Sequence, residues 1–348
     1  TIMRRTALVT GGAGFIGSHC CRDLLDNGYT VVVVDNLVNG SLTAIERVRA
    51  LGTGELFFHD VDVRDQPALE NLMRTYGVDV VVHFAAHKAV GDSVDRPLEY
   101  YANNVSGLTA LLEAAHETGV RRFIFSSSCS IYGDAEDQPI TEETPARPTN
   151  PYARSKWMGE LILEDLCRRF PDWSVTALRY FNPAGAHPSG ILGEDPQGTP
   201  TNIFPFMAQL AMGKHRELKV FGQDYPTPDG TAVRDYIHVQ DVVEGHRLAL
   251  ERMPSSGFRR YNLGTGRGTS VLELVRAFEA ATGVSIPFTI VGRRAGDVPC
   301  LVASPRRAAD ELGWTATRTL AEMCADTWRF QSGEAARAAT AVEAPTRG

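Results

Sequence analysis

Short apolar runs and amphipathic stretches alternate along the first half of the chain. Thr6 to Thr10 is an apolar run suited to a strand buried on both faces. Ser18 to Asn27 is amphipathic at helical spacing and stops at Gly28, and Thr30 to Val34 is a second apolar run that ends in Asp35-Asn36. Leu56-Phe57-Phe58, closing at Asp62-Val63, predicts a third strand. Pro67 to Tyr76 predicts a helix, and Val78 to Ala86 a fourth strand running into a turn. Leu98 to Gly119 predicts one long helix with apolar positions at Tyr101, Val105, Leu108, Leu112 and Ala115, and Asn103 and Asn104 early in it. Arg122 to Phe125 is a fifth strand that ends in Ser126-Ser127-Ser128.

The first turn carries Gly11, Gly14 and Gly17, placed as strand, glycine turn, helix, strand, acid. One glycine makes the tight turn, one lets a pyrophosphate approach the backbone, and one lets helix and strand pack closely. The helix N-terminus then faces the phosphates. Asp35, at the end of the second strand, accepts bonds from adenosine ribose hydroxyls and repels a 2′-phosphate, which favours NAD over NADP. The predicted fold is therefore α/β: a Rossmann-type doubly wound parallel sheet with right-handed crossovers. The glycine turn, Asp35, Asp62, Ala85 and Ser128 all fall at predicted carboxyl ends of strands, where such sheets bind ligands.

Asn150-Pro151-Tyr152-Ala-Arg-Ser-Lys156 opens a further helix, with Asn150 as cap and Pro151 at the first position. Tyr152 and Lys156, four apart, share a helix face. An ammonium near a phenol pulls its pKa down, so the pair is a candidate acid/base unit.

The second half is richer in Pro and loops. Helices are predicted at Ile203–Met212, Asp241–Glu251, Val271–Thr282, Arg306–Leu312 and Leu320–Gln331, with strands near Val175–Tyr180, Leu218–Gly222 and Tyr261–Gly266. Residues 1–182 are expected to form the NAD-binding domain, with about 234–265 returning to it. Residues 183–331 are expected to form mainly a smaller C-terminal α/β substrate-binding domain, and 332–348 a frayed tail.

With 348 residues and 43% hydrophobic content the chain can bury a sizeable core. The net charge of -7 argues against a nucleic-acid surface, so an anionic substrate needs local Arg or Lys groups. The six cysteines form no C-x-x-C pair, and Thr1 to Arg5 lacks the apolar core of a signal peptide. Reduced thiols in a cytoplasmic protein are expected. No apolar run reaches the ~20 residues of a membrane span. The histidines show no metal-ligand spacing, and no metal is expected.

Thr10-Gly-Gly-Ala-Gly-Phe-Ile-Gly17, Phe125-Ser-Ser-Ser128, Pro151-Tyr152-x-x-x-Lys156 and Arg179-Tyr-Phe-Asn-Pro183 resemble the extended short-chain dehydrogenases. Asp35-Asn-Leu, His83-Phe-Ala, Lys88-Ala-Val-Gly, Pro97-Leu-Glu-Tyr-Tyr101, Gly193-Glu-Asp-Pro-Gln-Gly198, Asp224-Tyr-Pro-Thr227, Val233-Arg-Asp-Tyr-Ile-His-Val239 and Tyr261-Asn-Leu-Gly264 narrow the resemblance to the UDP-glucose 4-epimerase family, over roughly residues 4 to 331. The resemblance implies one tightly held NAD, with Tyr152 removing the proton of the sugar 4-hydroxyl. Ser128 would bridge hydroxyl and tyrosine, and Lys156 would bond the nicotinamide ribose and hold the tyrosine pKa down. A 4-keto sugar then turns over and is reduced on its other face, interconverting UDP-glucose and UDP-galactose.

By motif position, cofactor contacts fall on Gly11, Gly14, Phe15, Ile16, Gly17, Asp35, Asn36, Asp62, Val63, Phe84, Ala85, Lys88, Asn103, Tyr152, Lys156 and Phe181. Substrate contacts fall on Ser128, Asn182, Asn202, Ile203, Lys219, Phe221, Arg234, Arg294 and Asp297, with Leu301 gating the sugar pocket. Guanidinium forks suit a diphosphate. The competing reading of Arg234 is an ion pair with Asp235 or simple exposure. His87 touches the cofactor rim or is an ordinary loop histidine. The resemblance also implies a homodimer through helices Leu98–Gly119 and Tyr152–Arg169, with Leu111, Trp157, Met158 and Ile162 on their outer faces. Alternatives are UDP-N-acetylglucosamine epimerisation, motivated by Leu301, and an NAD-binding regulator without catalysis. A 4,6-dehydratase is disfavoured, because Cys129-Ser130 stands where an Asp-Glu pair would be needed.

Overall fold

The computed structural model describes residues 5–333. The first half runs β1 (Thr6–Thr10), α1 (Phe15–Asp26), β2 (Thr30–Asp35), α2 (Leu42–Leu51), β3 (Leu56–Asp60), α3 (Gln66–Tyr76), β4 (Val80–His83), α4 (Val90–Asp95), α5 (Pro97–Tyr101), α6 (Gly107–Thr118), β5 (Arg122–Ser128), α7 (Pro151–Arg169) and β6 (Ser174–Tyr180). The second runs β7 (Asn182–Ala184), α8 (Ile203–Ala211), β8 (Leu218–Phe221), β9 (Val233–Arg234), β10 (Tyr236–His238), α9 (Val239–Glu251), β11 (Gly257–Leu263), β12 (Thr269–Ser270), α10 (Val271–Thr282), β13 (Phe288–Val291), β14 (Cys300–Leu301), α11 (Arg306–Leu312) and α12 (Leu320–Gln331).

Seven strands form one sheet in the order β11-β6-β5-β4-β1-β2-β3. Every pair in it is parallel. The chain winds outward in both directions from the β1–β4 junction, which makes that junction the crevice where such sheets bind ligands. Strand alternation divides the core cleanly. Ala7, Val9, Val31, Val33 and Val82 face α1, α2, α9 and α11, whereas Leu8, Val32, Val34, Val81 and Phe123 face α3, α6 and α7. The sheet is thus covered on both sides, and β1 is buried along its whole length.

β11 pairs with β6 from Gly257↔Ser174 to Leu263↔Tyr180, so a late segment of the chain completes the first sheet. A separate core of Phe204, Met207, Leu218, Val220, Leu274, Phe278 and Met323 joins α8, β8, α10 and α12. Ser270 with Glu273 and Thr319 with Glu322 form capping boxes at the starts of α10 and α12.

Three expected elements differ. The stretch from Leu98 is not one helix: α5 passes through a π turn at Ala102–Ser106 before α6 begins. A π turn carries one residue more than an α turn and here sits at the cleft, as such bulges often do at functional sites. β3 ends at Asp60, so Asp62 and Val63 lie in the following loop, where Asp62 accepts from the Arg64 backbone and guanidinium. β4 spans four residues, and Phe84 to Ala86 already belong to the turn. The tail expected from 332 lies outside the described residues from 334 onward.

Candidate active site

A cleft of about 540 Å³ opens at the carboxyl edge of β1, β2 and β4. Of the expected cofactor residues, Gly11, Gly14, Asp35, Asn36, Val63, Phe84, Ala85, Lys88 and Asn103 line it, together with His87. Gly11 has φ +69, and a Cβ there would stand 2.7 Å from the Ala85 nitrogen. A Cβ on Gly17 would stand 2.2 Å from the Gly11 carbonyl oxygen. Positions 11 and 17 are therefore closed to any side chain, and the Gly14 cap of α1 supplies no side-chain bond to the first helical N–H groups. That is a cradle for a diphosphate. Ile16 packs into the core and Phe15 partly against it.

Asp35 is nearly buried. One oxygen accepts from the Ala13 N–H at 3.0 Å and the other from the Leu37 N–H at 2.8 Å. Burial raises its pKa, which those two bonds and the Lys88 charge oppose. A carboxylate oxygen has room for a second donor, so acceptor capacity remains for ribose hydroxyls. Asp62 does not line the cleft; its Arg64 pair lowers its pKa to about 2.

Asn150 caps α7 by accepting from the Ala153 N–H at 2.8 Å, with Pro151 in the first turn. This fixes Tyr152 and Lys156 on one face beside the end of β5. Ser128 caps the 3₁₀ turn Cys129–Tyr132 by accepting from Ser130, and its hydroxyl stands near enough to Tyr152 to favour the phenolate. Lys156 is buried; its Nζ donates to the Ser126 carbonyl at 2.6 Å, 5.2 Å from the Phe125 ring centroid and 6.0 Å from that of Tyr152. Lys156 was expected to hold the tyrosine pKa down; in the chain without nucleotide other groups set that pKa. Burial pushes Tyr152 up to about 12 against the effect of Ser128, and pushes Lys156 down to about 7, with Lys88 adding to the effect. Desolvation disfavours both charged forms.

Several residues at the site were not singled out in the sequence. Asn104, in the π turn, accepts from the His87 N–H at 2.9 Å and donates to the His87 carbonyl at 3.1 Å. It also accepts from Asn103 and donates to Ser155 Oγ at 3.0 Å, and Ser155 donates to the Tyr152 carbonyl. One amide thus ties the His87 turn to α7. The Thr10 hydroxyl bonds His83 Nδ1 at 2.6 Å and accepts from the Ala85 N–H. Burial lowers the His83 pKa to about 3. Arg179 forms a buried two-pronged pair with Glu160, at 2.9 and 2.6 Å, and donates to Tyr132 Oη at 2.8 Å. Tyr132 in turn bonds Asn262.

The expected substrate residues lie on the second-half elements. Asn182, on β7, has a buried Oδ1 with no partner among the described residues, an acceptor open to a ligand. Arg234 makes no ion pair with Asp235: that carboxylate is fully buried and accepts instead from the Thr265 and Gly266 N–H groups, the Thr265 hydroxyl and the Ala303 N–H. Arg234 is half-buried beside Leu301, its register partner across β9 and β14. Leu301 packs against the cluster of Cys129, Tyr132 and Phe181, next in sequence to Ser128 and Asn182. Lys219 and Phe221 share a face of β8. Arg294 pairs with Asp297 at 2.9 Å and covers Phe221 at 5.0 Å, on an exposed loop. Asn202 donates to Glu194 Oε1 at 2.5 Å, and Ile203 begins α8.

The family model for the NAD dependent epimerase/dehydratase family matches residues 7–264. The chain belongs to this family. The UDP-glucose 4-epimerase of Bacillus subtilis (strain 168) is 52% identical over 326 residues, covering 93% of this chain and 96% of that protein. The fold is similar to the crystal structure of the UDP-glucose 4-epimerase from Stenotrophomonas maltophila with bound NAD and formylated UDP-arabinopyranose. The TM-score is 0.94 at 46% identity, covering 96% of this chain and 100% of that one. It is also similar to the Bifidobacterium longum enzyme in complex with NAD+ and UDP, with TM-score 0.91 at 47% identity over 94% and 98% of the two chains. The glycine turn and the acid of β2 line one cleft, and the Tyr152–Lys156 pair stands at the start of α7 with Lys156 bonded to the end of β5.

Proposed function

We propose that this protein is a UDP-glucose 4-epimerase that interconverts UDP-glucose and UDP-galactose at sugar C4 with NAD as cofactor. The observation that carries the reading is the Ser128–Tyr152–Lys156 group beside a dinucleotide cleft, with half-buried Arg234 and the unpartnered Asn182 Oδ1 nearby on the sugar-nucleotide side.

Bound NAD accepts a hydride from the sugar and returns it. The chain's own groups do the rest. Gly11, Gly14 and the open N-terminus of α1 take the pyrophosphate, and Asp35 takes the ribose hydroxyls. Tyr152 Oη removes the proton of the sugar 4-hydroxyl and gives it back on the other face, with the Ser128 hydroxyl beside it. Arg234 and Arg294 neutralise the UDP diphosphate. Net redox change is zero.

The test is direct. Purified protein, with no cofactor added, converts UDP-galactose to UDP-glucose, and acid releases NAD from it. Absence of turnover with nucleotide present would leave only the regulator reading. Leu301 favours a second activity on UDP-N-acetylhexosamines, because it fills less of the pocket wall than a tyrosine would; undetectable turnover of UDP-N-acetylgalactosamine sinks that reading.

A homodimer through the helices of residues 98–119 (α5 and α6) and α7 fits the exposed Leu98, Met158 and Leu161. Leu111, expected on that outer face, is instead fully buried in the core. Six unpaired cysteines, five of them buried, fit a cytoplasmic protein. No helix among the described residues is long and apolar enough to cross a membrane.

A further inference from the structure

Glu194 has no part in the chemistry above, yet it stands where the two halves of the site meet. Its Oε1 accepts from the Asn202 side-chain amide at 2.5 Å. Its backbone carbonyl accepts from Gln331 Nε2 at the end of α12, and its neighbour Asp195 pairs with Arg47 of α2 at 3.4 Å. A side chain on the preceding residue, Gly193, would collide with the Phe330 ring at 2.4 Å. The segment is therefore pinned on both sides. The Lys88 charge, from the cofactor cleft, acts on the Glu194 carboxylate without forming an ion pair, and acts likewise on Asp35.

We propose that Glu194 is a positioning residue that couples the cofactor cleft to the sugar-nucleotide site by holding Asn202 within the field of the Lys88 charge. The inference rests on the epimerase reading. As a carboxylate, Glu194 gives Asn202 a charge-assisted bond; as an acid it gives a weaker neutral one. Asn202 caps α8 by position but makes no side-chain capping bond, because its amide is turned to Glu194. The first N–H groups of α8 stay open as long as that hold persists. Burial raises the Glu194 pKa to about 7, opposed by the Asn202 bond and the Lys88 charge, so the hold changes strength near neutral pH.

The experiment compares UDP binding by calorimetry at pH 8 and pH 6 in the wild type and in Glu194→Gln, each with its resident nucleotide. Gln keeps an acceptor for Asn202 but cannot titrate. UDP's own phosphate titration is common to both proteins and cancels. The wild type is expected to lose up to about tenfold more affinity than the variant as pH falls from 8 to 6, the limit for one group titrating near 7. With UDP-galactose, KM is expected to follow the same pattern and kcat to move less. Parallel pH curves for the two proteins overturn the proposal, as does a variant whose only defect is loss of bound nucleotide. Failure of the wild type to turn over UDP-galactose counts against the epimerase reading alone, since UDP binding still reports on Glu194.

Discussion

Lys156 Nζ donates to the Ser126 carbonyl at 2.6 Å and stands 6.0 Å from the Tyr152 ring centroid. The lysine is anchored to the sheet edge, not to the phenol, and both groups are driven toward neutrality by burial. Protein stripped of nucleotide is expected to ionise Tyr152 only near pH 12. Ultraviolet difference titration, with Tyr152→Phe as the blank, reads this phenol. Reloading with NAD, whose nicotinamide ring is cationic, is expected to lower the value; an unchanged titration would remove the cofactor from the activation of Tyr152.

Lys156 gives a stability signature of defined sign. The unfolded lysine keeps its proton to about pH 10.4, whereas the folded one loses it near 7. Between those values the unfolded chain binds more protons, so stability of the stripped protein rises with pH across the window. Thermal melts of Lys156→Met should show a flatter rise than the wild type.

Tyr152→Phe removes the phenol hydroxyl proposed to transfer the proton and leaves the ring in place. Turnover of UDP-galactose is expected to fall ~10²–10⁴-fold, with bound nucleotide and melting temperature close to wild type. Near-normal turnover would exclude Tyr152 as the base.

Much of this was readable from residue spacing because it depends on local chemistry. Gly11, Gly14 and Gly17, Asp35 and the Asn150-Pro151 cap each act within one turn or strand end, and the structure places them as the pattern implied. What was hidden depends on contacts far apart in sequence. Asn104 meets Ser155 across 51 positions, and Asp235 meets Ala303 across 68, so neither partnership leaves a periodic trace. The Tyr152 environment was misjudged for a related reason. Helical spacing shows that Lys156 is near, but not that burial outweighs its charge. The π turn is masked because Tyr101 and Val105 keep helical spacing with Leu108 and Leu112, whereas the buried side before α6 is Tyr100 and the polar Asn103 and Asn104.

Glu160 and Arg179 are almost wholly buried, with side-chain exposures of 0% and 2%. Glu160→Ala leaves an uncompensated guanidinium and is expected to cost about 3–5 kcal/mol. Urea denaturation measures it. The double variant Glu160→Leu/Arg179→Met should recover most of that loss; an equally unstable double variant would show that Tyr132 needs the arginine.

Leu301→Tyr narrows the wall formed with Phe181 and Cys129. Turnover of UDP-N-acetylgalactosamine should drop at least tenfold more than that of UDP-galactose. Equal effects on both substrates would place Leu301 outside the sugar pocket.

Leu98 is 82% exposed, and Met158 is 38% exposed. Leu98→Asp with Met158→Asp should shift light-scattering mass from dimer to monomer at micromolar concentration. A wild type that is already monomeric refutes the interface.

The π turn at Ala102–Ser106 also sets a limit on engineering. Deleting one residue there would restore regular α-helical hydrogen bonding and, judged by helix content alone, improve the protein. It would also rotate everything before it by about 100° relative to α6, carrying Asn103 and Asn104 away from the His87 turn and from Ser155. Local regularity and the working site therefore compete for the same residue, and a search for thermostable variants that rewards helix alone would select against the enzyme.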